Sequence, residues 1–427
     1  MKESKVEVET DRPLQRRATC AEAMKIYFAV NGLGLGHIIR SQAVANELSA
    51  TGADVLFSTY LDGLEFARRN RLKAVESVPI FYRVRQDGSV DLRATTSRSG
   101  FSLGVRRFLR QLMREIQHIR RYKPDLVLVD TRLSSLLAAR LLRRRVVLIV
   151  NQYRIRLLHN NRYPRSGHMD RLFLLIARLS WTFLGTLISE MWGLAQKIII
   201  PDFPAPLTIS KYNLALPRRH ARKAKFVGPI VHRQVNRDIS KDTLKRRYGF
   251  NADEMLIYAA ISGPKHERRP LVKKLMPILR DLSGSFNIVV SCGNPTGEKA
   301  PRHFGRMCVY EWVDNQDDLL HACDMVISRA GQGMILKAMI LGRPLLLIPT
   351  PFQTEQLGNA DRARSMSIAA VLEQEDLSND SLRGAISLMT NSPNYFETTS
   401  QIASRVRQTD GTGECMRIIE QLIARGS

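Results

Sequence analysis

The stretch Asp324-Met-Val-Ile-Ser-Arg-Ala-Gly-Gln-Gly-Met-Ile-Leu-Lys337 decides the fold. An apolar run ends at Ser328, two glycines follow at 331 and 333, and apolar residues then recur at helical spacing to Leu341. The pattern reads as strand, tight turn and helix. Leu345–Pro349 reads as the next strand, and Gln353-Thr-Glu-Gln-Leu-Gly-Asn359 as the start of another helix. Glycines at the head of a helix let backbone amides approach phosphate oxygens. The cluster Gln353, Glu355, Gln356 and Asn359 offers side chains that hydrogen-bond sugar hydroxyls.

Working outward, Met255–Ile261, Asn287–Ser291 and Arg306–Tyr310 read as further strands, with helices between them such as Leu271–Leu282. The same alternation fills the first half. Lys25–Val30, Ala53–Thr59, Asp125–Asp130, Val146–Val150 and Lys197–Ile200 are strand-like, and His37–Ala50 reads as a helix. A second helix carries Leu103, Val105, Phe108, Leu109, Leu112, Ile116 and Ile119, with arginines at 106, 107, 110, 114, 120 and 121. Alternating strands and helices imply an α/β protein with two Rossmann-like parallel-sheet domains. The basic stretch Pro217–Lys225 looks like a hinge between them. The expected layout is a loose tail (1–23), a basic first domain (24–224), a second domain (225–395) and a helical segment (396–427) crossing back to the first.

Charge divides unevenly. Residues 1–225 hold 40 basic and 18 acidic side chains, against 25 and 22 in residues 226–427, so nearly all of the net +25 lies in the first half. An anionic partner is therefore expected to meet the first domain. Nucleic acid is not expected, because there is no helix-turn-helix signature, zinc spacing or aromatic RNA-binding motif. The five cysteines lack a CxxC pair and the nine histidines lack HxxxH spacing, so neither a disulfide framework nor a metal site is expected. The first 23 residues have no apolar core and do not read as a secretory signal. Leu172–Leu187 is apolar but interrupted by Arg178, too short to span a bilayer. It reads either as a buried helix or as one lying in the membrane interface.

The loop Asn31-Gly-Leu-Gly-Leu-Gly-His37 joins the first strand to its helix. It is not the GxGxxG of dinucleotide-binding proteins, because His37 stands where the third glycine would be. His37 falls at the carboxyl edge of the sheet, where a neutral imidazole can take a proton from a hydroxyl or simply close the loop by a hydrogen bond. Asp130 ends a strand at that edge and can orient His37, bind hydroxyls, act as the base or cap the next helix. Asp202 ends another strand near the domain junction.

These motifs resemble those of the inverting glycosyltransferases of the two-domain GT-B fold, in particular those with a family 28 C-terminal domain. That family includes the bacterial peptidoglycan N-acetylglucosaminyltransferases and archaeal relatives that extend lipid-linked sugars. The resemblance covers most of residues 24–390. It implies transfer of a sugar, such as N-acetylglucosamine or another hexose, from a nucleotide-diphosphate donor such as a UDP-sugar. The acceptor would be a hydroxyl on a membrane-associated, lipid-linked molecule. No cofactor or metal is implied. It places the donor against Ser262, Gly263, Val313, Ser328, Gly331, Gln332, Gly333, Lys337, Gln353, Glu355, Gln356 and Asn359. It places the acceptor pyrophosphate at Gly34 and Gly36, with Asp202 nearby, and gives catalysis to His37 with Asp130. Lys337 departs from the pattern: many relatives carry a glutamate there that accepts from ribose hydroxyls, which an ammonium cannot do. The implied location is peripheral, on the cytoplasmic face of an anionic membrane. A nucleotide-sugar 2-epimerase shares the two-domain layout and is the alternative within the fold.

Overall fold

The computed structural model describes residues 23–91, 94–95, 97–153, 182–232 and 239–424. Two seven-stranded sheets form the two domains, as the alternation predicts. The N-terminal sheet contains β1 (Lys25–Val30), β2 (Asp54–Thr59), β3 (Ala74–Glu76), β4 (Leu126–Asp130), β5 (Arg145–Ile149), β6 (Lys197–Ile200) and β7 (Ala224–Phe226). Its strands are all parallel, in the order β3-β2-β1-β4-β5-β6-β7. The C-terminal sheet contains β8 (Leu256–Ala260), β9 (Asn287–Ser291), β10 (Arg302–Phe304), β11 (Met307–Tyr310), β12 (Met325–Ser328), β13 (Leu345–Leu347) and β14 (Ala369–Val371). The order is β10-β11-β9-β8-β12-β13-β14, and only the edge pair β10–β11 is antiparallel.

Alternation along each strand divides its side chains between two helical layers. In β1, Ile26, Phe28 and Val30 pack with the 36–50 helix, while Tyr27 and Ala29 face the 98–122 and 133–141 helices. In β8, Tyr258 and Ala260 pack toward the 332–341 helix, and Ile257 and Ala259 toward the 265–282 helix. All these strand residues are essentially solvent-free, as parallel strands covered on both faces must be.

The structure corrects three readings. Pro217–Lys225 is not a free hinge: Arg218–Ala221 is a short helix and Ala224–Phe226 is the edge strand β7, so the N-terminal sheet extends past the expected boundary. The helix expected to start at Leu271 begins at Lys265 and carries Pro270 and Pro277 inside it. The C-terminal segment is two helices, and only the second crosses. Ile402 and Val406 of Pro393–Val406 stay in the C-domain core. Cys415, Met416 and Ile419 of Gly411–Ala424 pack into the N-domain. Thr412 ties this crossing to the chain after β7, accepting from the Val231 amide and donating to its carbonyl.

The expected tail lies almost wholly outside the described residues, as does the 172–181 part of the apolar segment. Residues 182–192 are helical. Ile188 and Trp192 pack on the N-terminal sheet, while Phe183 and Leu187 are exposed. Among the described residues, no helix is long and apolar enough to cross a membrane.

Candidate active site

Among its parallel strands each sheet reverses its order once, at β1/β4 in the N-domain and β8/β12 in the C-domain. Open parallel sheets bind ligands at such points, beyond the strands' carboxyl ends. The Asn31–His37 loop and Asp130 occupy the first point; Ser262-Gly263 and the 329–333 turn occupy the second. The two points face each other. A Cβ placed on Gly34 would lie 3.5 Å from Pro264 and 3.6 Å from the Gly263 backbone. Gly34 has φ +70° and Gly263 φ +117°, conformations that side chains disfavour, so these two glycines allow both loops to meet across the cleft.

Two helix N-termini open here without a capping side chain and without an acid in the first turn. One belongs to the 36–50 helix, behind Gly34 and Gly36. The other belongs to the 332–341 helix, behind Gly331. Each leaves amides and the positive dipole end available to an anion. Cβ atoms on Gly36, Gly331 or Gly333 would meet open space.

His37 projects from the first of these helices. Its Nδ1 lies 2.8 Å from Oδ1 of Asp130, which is wholly buried at the end of β4. Arg40, one turn along the same helix, donates to both carboxylate oxygens, Nε to Oδ2 at 2.6 Å and Nη2 to Oδ1 at 2.5 Å. Ser41 donates to Oδ2 as well. Burial by itself would raise the carboxyl, but Arg40 and then His37 hold it well below the usual carboxylate range. Asp130 is therefore ionised, and the short contact to His37 requires a proton on Nδ1. Arg40 Nη2 also lies 2.9 Å from Nδ1, but two donors cannot bond each other, so that hydrogen goes to Asp130. In the neutral ring the remaining lone pair then lies on Nε2.

The opposing domain reaches this group through Glu355. Asn151, just beyond β5, donates to Glu355 at 2.7 Å and lies 3.4 Å from Arg40 Nη2. Burial raises the Glu355 carboxyl, and His37 and Arg40 pull it back. His37, Asp130 and Glu355 are thus brought together.

Other expected residues have partners within the protein. Asp202 has no exposed surface. Its oxygens accept from the backbone of Phe203, Ile209 and Ser210 and from the Gln332 side chain, so it is closed to an acceptor. Burial outweighs these donors and raises its carboxyl. The Gln332 side chain is correspondingly engaged with Asp202 rather than free at the turn. Ser328 is buried and donates to the Arg329 carbonyl. Asn359 is fully buried, donating to the Ala330 carbonyl. Gln356 braces the Thr350 amide. Gln353 caps the 354–365 helix by accepting from the Gln356 amide. Val313 is partly buried against the C-domain core. Lys337 is paired with Asp317 at 2.6 Å, which brings a carboxylate to the place where lysine stands alone in the sequence.

Several interdomain residues escaped the sequence reading. Tyr82 donates to the buried Glu267, whose other oxygen accepts from Thr350 at 3.0 Å. Val90 donates its amide to the Pro351 carbonyl, and Gln374 donates to that of Asp87. Trp312 stacks edge-on against Phe66, with Arg69 over its ring. Arg40 had a signal, since i and i+3 share a helix face. Asn151 had one too, following a strand beside Asp130. The four free cysteines among the described residues are buried.

Residues 266–412 match the glycosyltransferase family 28 C-terminal domain, and residues 24–181 match glycosyl transferase family 1. An uncharacterized glycosyltransferase of Methanosarcina acetivorans is 28% identical over 355 residues, 82% of this chain and 84% of that protein. The UDP-N-acetylglucosamine–N-acetylmuramyl-(pentapeptide) pyrophosphoryl-undecaprenol N-acetylglucosamine transferase of Geobacillus kaustophilus is 29% identical over 208 residues, 45% of this chain and 54% of that protein. Among solved structures, MurG of Acinetobacter baumannii superposes with a TM-score of 0.56 at 16% identity, over 93% of this chain and 99% of that one. The calicheamicin glycosyltransferase CalG4 superposes with a TM-score of 0.60 at 17% identity, over 95% and 99%.

Proposed function

Since the chain is a glycosyltransferase of the GT-B fold with a family 28 C-terminal domain, we propose that it moves a hexose, such as N-acetylglucosamine, from a nucleotide-diphosphate sugar to a hydroxyl of a lipid-linked acceptor, with inversion. The observation that carries this reading is the pair of uncapped helix N-termini, one at each sheet's switch point, with the His37–Asp130 pair beside one of them.

The donor lies against the C-domain. Its diphosphate takes hydrogen bonds from amides at Gly331–Gly333, with the Ser262-Gly263 turn alongside. The base lies by Val313. The ribose hydroxyls meet Asp317, which Lys337 holds in place and which supplies the acceptor oxygen that lysine lacks. Gln353 and Glu355 face the sugar. The helix end at Gly36 faces the acceptor's pyrophosphate, with Gly34, whose amide donates to Asp62, beside it.

His37 Nε2 takes the proton of the acceptor hydroxyl as the oxygen's electron pair attacks the anomeric carbon. The bond to the diphosphate oxygen breaks on the opposite face, and its electrons leave with the nucleoside diphosphate. Asp130 holds the ring by its Nδ1 hydrogen and keeps Nε2 turned to the acceptor. Preorganised amides receive the growing charge on the leaving group, so no divalent metal is required in this scheme.

The acceptor domain also presents a surface suited to an anionic bilayer. Val105, Leu109 and Met113 are spaced four apart on the 98–122 helix and are 42%, 52% and 57% exposed. Exposed Arg106, Arg110 and Arg114 run beside them. Leu141 and Phe183 stand out from helical segments packed on the same sheet face. Apolar residues entering the interface with arginines on lipid phosphates describe a peripheral enzyme on the cytoplasmic face.

A thermal-shift screen of nucleoside diphosphates and their sugars tests the donor reading. Selective stabilisation by one nucleotide series is expected; indifference to all of them would contradict it. Epimerised sugar formed from donor alone would replace transfer with epimerisation.

A further inference from the structure

The charges around His37 come from three places. Asp130 lies on β4, Arg40 on the histidine's own helix, and Glu355 on the 354–365 helix of the opposing domain. A fourth group near Asp130 is the Cys415 thiol of the crossing helix, pushed up to about 12 by burial and so uncharged. Asn151, which joins Arg40 to Glu355, is neutral.

Taken alone, the N-domain places a neutral pair beside the ring. Arg40 uses both Nε and Nη2 on the Asp130 carboxylate, so one negative and one positive charge nearly cancel at His37. A buried, unpaired Asp130 would instead hold His37 as the imidazolium, and a protonated ring cannot serve as a base. The price of cancellation is that an imidazolium forming during reaction has little net charge to support it. Glu355 supplies that charge from across the cleft, and the Asn151 contact exists only when the two domains meet.

We propose that Arg40 is a positioning residue that neutralises Asp130, and that Glu355 tips the local balance negative on domain closure, so that closure itself makes His37 a stronger proton acceptor. The proposal gives Glu355 a task besides facing the donor sugar. It explains why a carboxylate stands there: a neutral amide could keep the bond from Asn151 but would add no charge. It draws its purpose from the transfer reaction proposed above, but the charge balance can be measured without any substrate.

The test is a pH titration of the substrate-free protein carrying 15N-labelled histidine, with the His37 ring signals assigned by their loss in H37N. In R40Q the midpoint of ring protonation is expected to rise by about one unit, as for an imidazole facing a lone carboxylate. R40K, which keeps the cation, returns it toward the wild-type midpoint. E355Q keeps the Asn151 bond and lowers the midpoint by about half a unit. Opposite shifts in R40Q and E355Q support the proposal. An unmoved midpoint in E355Q, or a shift of both variants in one direction, overturns it. E355Q leaves the buried Arg40–Asp130 pair intact, so the test stands even if R40Q does not fold. Opposite shifts in a protein that transfers no sugar would sink the transfer reading and leave the charge device standing.

Discussion

Nδ1 of His37 and Oδ1 of Asp130 are 2.8 Å apart, and the carboxylate is entirely withdrawn from solvent. Because Arg40 binds both carboxylate oxygens, the shared proton belongs to the ring. This fixes which nitrogen faces the cleft, and most of the chemistry follows from it.

Replacing His37 by alanine removes the proton acceptor. Transfer is expected to fall by about 10²–10⁴-fold in kcat, the usual contribution of a general base. Stabilisation by the nucleoside diphosphate should remain, since the proposed donor site lies on the other domain. Steady-state kinetics and thermal shifts on the same variant check both halves.

Asp130 also links stability to pH. Its folded-state carboxyl lies well below an unfolded aspartate, near 3.9. Its contribution is therefore complete well above that value, begins to be lost as pH falls below about 5, and continues to fall through the depressed folded value. Urea unfolding at pH 7 and pH 4 should show D130N destabilised most at pH 7, with a smaller difference from wild type at pH 4. An equal difference at both pH values would contradict the linkage.

Alanine at Gly333 adds a methyl where, apart from its own helix backbone and chain neighbours, nothing lies within 4 Å. The fold should tolerate it, with a melting temperature close to wild type. Loss of one charge-assisted amide contact to the diphosphate is worth about 1.5–3 kcal/mol, or roughly 10–100-fold in affinity. Titration calorimetry with the preferred nucleoside diphosphate reads this directly; full affinity in G333A would place the diphosphate elsewhere.

Asp202 and Gln332 are joined across the domains at 2.9 Å. Truncating Asp202 to alanine leaves buried amides without their acceptor and should destabilise the protein by about 3 kcal/mol or more. The acceptor KM of the folded fraction should be unchanged. A raised KM with normal stability would restore Asp202 to acceptor binding.

The stripe Val105, Leu109, Met113 is expected to enter an anionic bilayer. Serine at all three positions should abolish sedimentation with phosphatidylglycerol vesicles while the circular dichroism spectrum stays the same. Moderate salt should release the wild-type protein, since each arginine contributes on the order of 1 kcal/mol near such a surface. Equal binding to neutral and acidic vesicles would remove electrostatics from the account.

Long buried strands were readable because four or more consecutive apolar residues between polar turns admit few other interpretations, as in Leu126–Asp130. The short edge strands β3, β7, β10 and β14 have three residues each, too few for a period to register. Pro270 concealed the first turn of the 265–282 helix for a related reason: proline is a local stop signal that tertiary packing overrode. His37 and Asp130 could be placed at one edge because each ends a recognisable motif. The roles of Asp202, Gln332 and Asn359 could not be read in the same way. A polar residue beside a glycine turn looks alike whether it meets a ligand or a buried amide, and only the packed structure separates the two. Arg40 was lost among many arginines, since its distinction is the carboxylate it faces.

Product analysis follows the transferred sugar itself. Wild-type protein is incubated with the stabilising nucleotide sugar and a pyrophosphoryl-lipid acceptor, and the new glycosidic bond is examined by NMR. The account predicts a sugar on an acceptor hydroxyl with its anomeric configuration inverted, formed by wild type and nearly absent with H37A. A retained configuration, or equal product from both proteins, would contradict it.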